Sequence, residues 1–318
     1  MQLQRRAVID VGTNSVKLLV ADVRDRSVEP VLERSEQTRL GRGFYATHRL
    51  QPEAITATAQ AVAEFAGVAK KSNATSIRVI GTSAARDAVN RDALLTAVHD
   101  TCGLPIEIIS GKQEADWAFR GVTTDPRLAV DRLLILDVGG GSTEFILGEK
   151  GQPFFCESFP LGTVRLLEQF RLADPPTEQE FSRCRAWIRD FTHRQIRPRL
   201  EAMRINRAGK SAQLVGTGGT TSILACLEQA LARFDRERIE ATRLSRKCVK
   251  ELAARLWGQP LDERKQIVGL PPNRADVILM GAVIFQIVME EFDFPNVRVS
   301  TRGLRFAAVM DPQASRLH

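Results

Sequence analysis

The chain is poor in the residues that stack on nucleic-acid bases and in those that hold metals through nitrogen or sulfur. It has one tyrosine and three tryptophans in 318 residues, and no tract interleaves aromatics with basic residues. Base stacking needs such a tract, so neither DNA nor RNA is expected as a partner. The five cysteines (Cys102, Cys156, Cys184, Cys226, Cys248) are scattered and form no CxxC. Neither they nor the four histidines (His48, His99, His193, His318) show metal-ligand spacing. An odd set of thiols without a pairing pattern predicts a reduced, cytoplasmic protein, with cysteines that pack rather than react. No stretch reaches the roughly 18 apolar residues of a membrane span, so no membrane is expected as a partner. The opening MQLQRRAVIDVG runs straight into a strand pattern, which predicts no signal peptide. GxSxG, HExxH and GxxxxGK[ST] are all absent. That removes the common serine-hydrolase, zinc-protease and P-loop readings.

What remains has the composition of a soluble globular protein long enough for two domains. The formal charge is +7, and arginine outnumbers lysine 36 to 9. Guanidinium meets phosphate oxygens with a planar fork, so the excess suits a polyanionic partner. A GC-rich genome explains the same bias equally well.

One phrase occurs twice. AVIDVGTNSVKLLVADV begins at residue 7, and LLILDVGGGSTEFILGE covers 133–149. Each is an apolar run, an aspartate, a Gly-rich turn with a hydroxyl residue, and a second apolar run. This predicts two β-hairpins, one in each half, with loops sized for phosphate. After the first hairpin the pattern predicts a strand near 28–37 and a helix over 50–72 with Pro52 in its first turn. A strand ending in a turn at 76–86, a helix over 90–103, a strand at 105–110 and a helix from Gln113 follow. A polar stretch, 123–132, separates the halves. The second half predicts a third strand near 154–159 and helices near 163–170 and 177–203. A strand, Gly-rich turn and helix follow over 212–231, then a helix over 247–256, a buried apolar helix over 275–292, and a last strand, turn and helix over 297–310. The fold class is therefore α/β: two duplicated ribonuclease H-like domains of the actin, sugar-kinase and Hsp70 type, with an interdomain cleft. The expected domains are 1–124 and 125–302. In such folds the closing segment, about 303–318, packs back on the first domain.

The candidate site residues follow from the loops. Gly12, Thr13, Asn14 and Ser15 follow Asp10, and Gly139, Gly140, Gly141 and Ser142 follow Asp137. Three consecutive glycines cost backbone entropy, and close approach of amides to an anion is a reason to keep them. Gly216, Thr217, Gly218, Gly219 and Thr220 form a third turn between strand and helix, where a helix N-terminus also favours an anion. Glu144 holds the place after the second loop that Lys17 holds after the first. Carboxylates beside phosphate loops make sense with a hard divalent cation between them, so Asp10, Asp137 and Glu144 are candidate Mg²⁺ ligands. The alternative for Glu144 is a solvated strand residue. Glu114 opens a helix, where it either serves the dipole or acts as a base for water. Arg86 ends GTSAAR, either as a phosphate clamp or as a surface arginine.

The motifs together resemble the exopolyphosphatase/guanosine-pentaphosphate phosphohydrolase (Ppx/GppA) family in its short form. IDVGTNS (9–15), GTSAARDAVN (81–90), IEIISGKQEA (106–115), LDVGGGSTE (136–144), GTGGT (216–220) and ERKQIVGLPPNRADVI (263–278) fall in family order over most of the chain. The resemblance implies hydrolysis of the terminal phosphate of inorganic polyphosphate, or of guanosine pentaphosphate, with Mg²⁺ or with Mn²⁺ in its place. It implies Glu114 as the residue that activates water. It also implies Asp137 and Glu144 near metal and attacking water, the glycine turns as phosphate cradles, Arg86 as a basic channel position, and a homodimer. A non-hydrolytic sensor of polyphosphate or nucleotide and a kinase of the same fold are the competing readings. The C-terminal motif departs from the family's S-D-x-G-L-R-x-G: Thr301 stands at the acidic position and Ala307 at the last glycine.

Overall fold

A computed structural model describes residues 3–203, 205–207 and 210–311. The chain divides into two compact units, one holding the residues up to Asp125 together with those from Arg302, the other Pro126–Thr301.

In the first unit, β1 (Gln4–Val11) and β2 (Val16–Arg24) form the opening hairpin, with Asp10 opposite Lys17, and β3 (Ser27–Glu36) extends it. α1 (Pro52–Lys71) buries Ile55, Ala59, Val62, Phe65, Ala66 and Ala69, the helical spacing that its sequence carries. β4 (Ser76–Gly81) pairs parallel with β1. A short α2 (Ser83–Asp87) stands where the sequence predicted only a turn. α3 (Arg91–Cys102) stops at Gly103, whose φ of +71° is the left-handed cap that glycine adopts without strain. β5 (Ile106–Ile108) pairs parallel with β4. α4 (Gly111–Val122) is capped by Ser110, whose hydroxyl accepts from the Gln113 N–H. The sheet order is β3-β2-β1-β4-β5.

The second unit begins with a short α5 (Pro126–Ala129) and repeats the hairpin as β6 (Arg132–Val138) and β7 (Thr143–Glu149), followed by β8 (Gln152–Phe159). α6 (Thr163–Phe170), α7 (Glu178–Phe191) and α8 (Arg197–Ala202) come next. The single helix predicted over 177–203 is broken by a π turn at Thr192–Ile196. Pro198 stands one residue beyond it; without an N–H it cannot continue the regular ladder, which accounts for the break. A two-residue pairing, β9 (Asn206–Arg207) with β10 (Lys210–Ser211), leads to β11 (Gln213–Thr217) and α9 (Gly218–Glu228). α10 (Arg236–Ala241) and β12 (Arg243–Ser245) were not foreseen. α11 (Arg246–Trp257) and α12 (Leu261–Arg264) precede α13 (Ile278–Glu291), which is buried from Ile278 to Met289. β13 (Asn296–Val299) completes the sheet, β8-β7-β6-β11-β13-β12. Its first four positions repeat the β3-β2-β1-β4 order of the first unit, so the chain has the duplicated α/β architecture of the actin-like, ribonuclease H-like class.

α14 (Leu304–Met310) returns to the first unit. Phe306, Ala307 and Val309 pack with Val8, Leu19, Ile80 and Trp117. The turn before α14 lies so close to α4 that a Cβ on Gly121 would sit 2.1 Å from the Gly303 carbonyl oxygen. Residues 312–318, included in the expected closing segment, lie outside the described residues. Among the described residues no helix is long and apolar enough to cross a membrane.

Candidate active site

The first unit delivers its candidate residues to one edge of the sheet, the carboxyl end of its three parallel strands. Beyond β1, the Gly12 N–H donates to Ser15 O at 3.0 Å and closes the turn. Beyond β4, the Thr82 N–H donates to Val11 O at 3.2 Å, and beyond β5 the Ile109 N–H donates to Gly81 O at 3.1 Å. Open α/β sheets bind ligands outside this end. Arg86 and Glu114 meet there, with Nη1 3.0 Å from Oε2. The Arg86 Nη1 also donates to Ile109 O at 3.3 Å, and its Nε lies 3.3 Å from Asp87 Oδ1. Glu114 is 8% exposed, so its carboxylate meets the guanidinium largely away from solvent. The expected clamp and the expected base are therefore an ion pair.

Asp10 is buried, and its Oδ1 has no hydrogen-bond partner. Burial pushes its pKa up, against the opposing pull of Lys17 and Arg305. Arg305 arrives on α14 and donates to Leu18 O at 2.9 Å and to Glu33 Oε2 at 3.1 Å. The loop itself is held from its carbonyl side. Thr13 O accepts from the Gly41 N–H at 2.7 Å and Asn14 O from the Arg39 N–H at 3.1 Å.

The second unit repeats the turn, with the Gly139 N–H donating to Ser142 O at 2.9 Å. Asp137 lies in register with Glu144 on β7 and with Thr217 on β11. Glu144 is buried, and its Oε1 accepts from Ser142 Oγ at 2.8 Å and from Ser158 Oγ at 2.7 Å. The solvated-strand reading of Glu144 is thereby excluded, and the Ser142 hydroxyl proton goes to Glu144. Gly218, with φ +82°, opens α9 directly against Asp137; a Cβ there would meet Asp137 Oδ1 at 2.2 Å. Thr220 Oγ1 donates to Val138 O at 2.9 Å and ties the third turn to the second loop. Thr217 Oγ1 is buried without a hydrogen-bond partner. Among the described residues, the amides of Gly140, Gly141 and Ser142 have no backbone acceptor, nor do those of Thr13, Asn14 and Ser15.

Three contributors escaped the sequence reading. Arg305 stood in the noted C-terminal motif, Ser158 faces Glu144 only through strand register, and Arg165 donates from Nε to Gly141 O at 3.0 Å. At the departure noted above, Thr301 Oγ1 donates to Glu240 and accepts from Arg236, so the buried Glu240 brings a carboxylate to Thr301. The 263–278 match carries structural anchors. A Cβ on Gly269 (φ +91°) would lie 2.5 Å from Cys226 O, and burial pulls the pKa of Arg264 down. Cys184 and Cys248 are buried, with thiol pKa values pushed up to about 12, chiefly by burial, which suits packing rather than nucleophilic roles.

Among the described residues no three His, Cys, Asp or Glu gather as a metal-holding group. Mg²⁺ asks for less, because it binds through one or two carboxylates with waters and substrate oxygens completing its shell. In the first unit the unpartnered, buried Asp10 Oδ1 fits that demand, and so, in the second unit, do Asp137 and Glu144, which face each other in strand register.

A family model described as the Ppx/GppA phosphatase family matches residues 19–312. A Mycobacterium tuberculosis protein named Exopolyphosphatase 2 is 35% identical over 300 residues, covering 92% of each chain. A crystal structure of the Aquifex aeolicus Ppx/GppA family member superposes with a TM-score of 0.77 at 30% identity, covering 97% of both chains. A crystal structure of an exopolyphosphatase from Cytophaga hutchinsonii gives a TM-score of 0.84 at 27% identity over 96% of both.

Proposed function

Because the chain belongs to the Ppx/GppA phosphatase family, we propose that it is an exopolyphosphatase, a phosphoanhydride hydrolase that releases the terminal phosphate of inorganic polyphosphate by attack of water. The observation that carries this reading is the twice-built loop. Each copy is closed by the same hydrogen bond, follows a strand-end aspartate, and has three amides without backbone acceptors. Amides so arranged make an anion nest and suit the equatorial oxygens of a phosphoryl group. Phosphoryl transfer depends mainly on positioning and charge neutralisation, so such equipment suffices.

Glu114 orients the attacking water and takes its proton, while Arg86 holds the carboxylate in place. The α9 N-terminus adds the positive end of its dipole beside Asp137. Mg²⁺, held by Asp10 or by Asp137 and Glu144, neutralises phosphoryl oxygens when bound.

The test is phosphate release with Mg²⁺ from long-chain polyphosphate, from tripolyphosphate and from guanosine pentaphosphate, each with the wild type and with Glu114→Gln. Fast, Glu114-dependent release from polyphosphate is expected. Release from the nucleotide alone would reassign the substrate, and tight binding without release from any of them would make the protein a sensor.

A further inference from the structure

Three consecutive carbonyls of the second loop point at one short segment. Gly139 O accepts from the Thr163 N–H at 3.0 Å. Gly140 O accepts from the Val164 N–H at 2.8 Å and from the Arg165 N–H at 3.2 Å. Gly141 O accepts from Arg165 Nε at 3.0 Å. The approach is tight, since a Cβ on Gly162 would lie 2.3 Å from both Gly140 O and the Gly141 carbonyl carbon.

A trans peptide is planar, and its C=O and N–H point in opposite directions. Fixing the carbonyls of residues 139, 140 and 141 therefore fixes the amides of Gly140, Gly141 and Ser142 on the opposite face. These are the three amides without a backbone acceptor. Glycine-rich backbone has little intrinsic preference for one orientation, so an external hold is needed. Two of the carbonyls are held by main-chain amides at the start of α6, which any sequence would supply. The third is held by a side chain.

We propose that Arg165 is a positioning residue for hydrolysis: by gripping Gly141 O it keeps the Ser142 amide turned to the substrate phosphate. The inference rests on the proposed function for its substrate but not for its geometry. A hydrogen bond from a charged donor decides an equilibrium by roughly 10- to 100-fold, and that is the size of the effect available here. Its expression is a loss in phosphate affinity, because a loop free to flip offers a carbonyl oxygen where an amide is wanted.

The experiment compares the wild type with Arg165→Met and Arg165→Lys. KM and kcat are measured for tripolyphosphate, melting temperature is followed in parallel, and spectra are recorded after ¹⁵N-glycine and ¹⁵N-serine labelling. The methionine variant is expected to raise KM about 10- to 100-fold, with a smaller change in kcat and little change in melting temperature. The lysine variant retains one donor and recovers part of the loss. The Ser142 amide resonance shifts in the methionine variant without substrate. Unchanged KM in the methionine variant overturns the proposal, as does a lysine variant equally impaired with melting temperature lowered in both. If the wild type releases no phosphate, the proposed function fails, and the resonance decides alone: an unmoved Ser142 amide in Arg165→Met overturns the positioning role.

Discussion

The two hairpins share a turn and differ in almost everything that touches it. Both close with a hydrogen bond from the first loop glycine to the serine carbonyl, at 3.0 Å in one and 2.9 Å in the other. Both place an aspartate at the same strand register. Across the first lies Lys17; across the second lies Glu144, held by Ser142 and Ser158. The first unit pairs opposite charges, Asp10 near Lys17 and Arg305, and Glu114 with Arg86. The second gathers acids and hydroxyls. Duplication thus supplies the backbone shape, while the facing strand decides the chemistry. The mixed charges hold a carboxylate in place by an ion pair. The acid-and-hydroxyl cluster has the composition of a site for a hard cation.

The change expected to separate the units most is Glu114→Gln. The amide oxygen can still accept from Arg86, so the fold survives and only the proton acceptor is lost. Phosphate release is expected to fall at least ~100-fold, the lower end for a general base. Glu144→Gln, which keeps an acceptor for Ser142 and Ser158, is expected to lose less. Equal losses in the two variants would erase the distinction drawn between the units.

A second expected effect concerns how each unit approaches Asp10 and Asp137. Gly218 combines φ +82° with a Cβ position 2.2 Å from Asp137 Oδ1, whereas a Cβ on Gly12, the glycine of the first loop, would meet Ser15 O at 3.1 Å and not Asp10. Gly218→Ala must bear left-handed strain of about 1–2 kcal/mol and must also displace Asp137. Urea unfolding is expected to register that modest cost, while kcat falls further than stability accounts for. Activity unchanged by the alanine would mean that the position of Asp137 is immaterial.

The holds on the two loops differ in kind, which gives a third test. A Cβ on Gly41 would meet the Thr13 methyl at 2.3 Å, a side-chain atom, with the nearest backbone atom, Thr13 O, at 3.2 Å. A Cβ on Gly162 would meet the backbone of Gly140 and Gly141 at the same 2.3 Å, and backbone cannot turn aside. Gly162→Ala is expected to cost about 1–3 kcal/mol, the range for overpacking, and Gly41→Ala clearly less. Denaturant midpoints for the two variants check it.

The shared turn was legible in the sequence because its signal is local: aspartate, glycine and hydroxyl between two apolar runs. The Gly103 stop and the apolar α13 were legible for the same reason. The contacts that distinguish the units were not. Arg86 meets Glu114 only because β4 and β5 pair in parallel, which brings together residues 28 apart. Ser158 reaches Glu144 through the β7–β8 register. α10 and β12 lie in a stretch rich in arginine and glutamate, where apolar periodicity is too sparse to mark a helix or a strand. Local pattern specifies a turn; which side chain faces it depends on pairings that no local window contains.

The smallest expected effect is a slope rather than a loss, and it concerns Asp10. Burial raises its folded pKa above the usual 3.8. A raised pKa means that the folded state binds the proton more tightly than the unfolded chain does. Stability from this group is then fully present below about pH 3.8 and is lost as pH rises through the folded value. Near neutrality the wild type bears the cost of keeping this carboxyl buried, which Lys17 and Arg305 only partly offset. Asp10→Asn removes that cost, so the variant is expected to match the wild type in acid and to exceed it in melting temperature near neutrality. Mg²⁺ is expected to narrow the gap by stabilising the wild type alone, because a ligand that binds only the folded carboxylate stabilises by mass action. Parallel pH profiles for the two proteins would show that Asp10 titrates alike in the folded and unfolded chain. A melting temperature raised equally by Mg²⁺ in both would leave the cation to Asp137 and Glu144 and make the two units differ in metal binding as well as in charge.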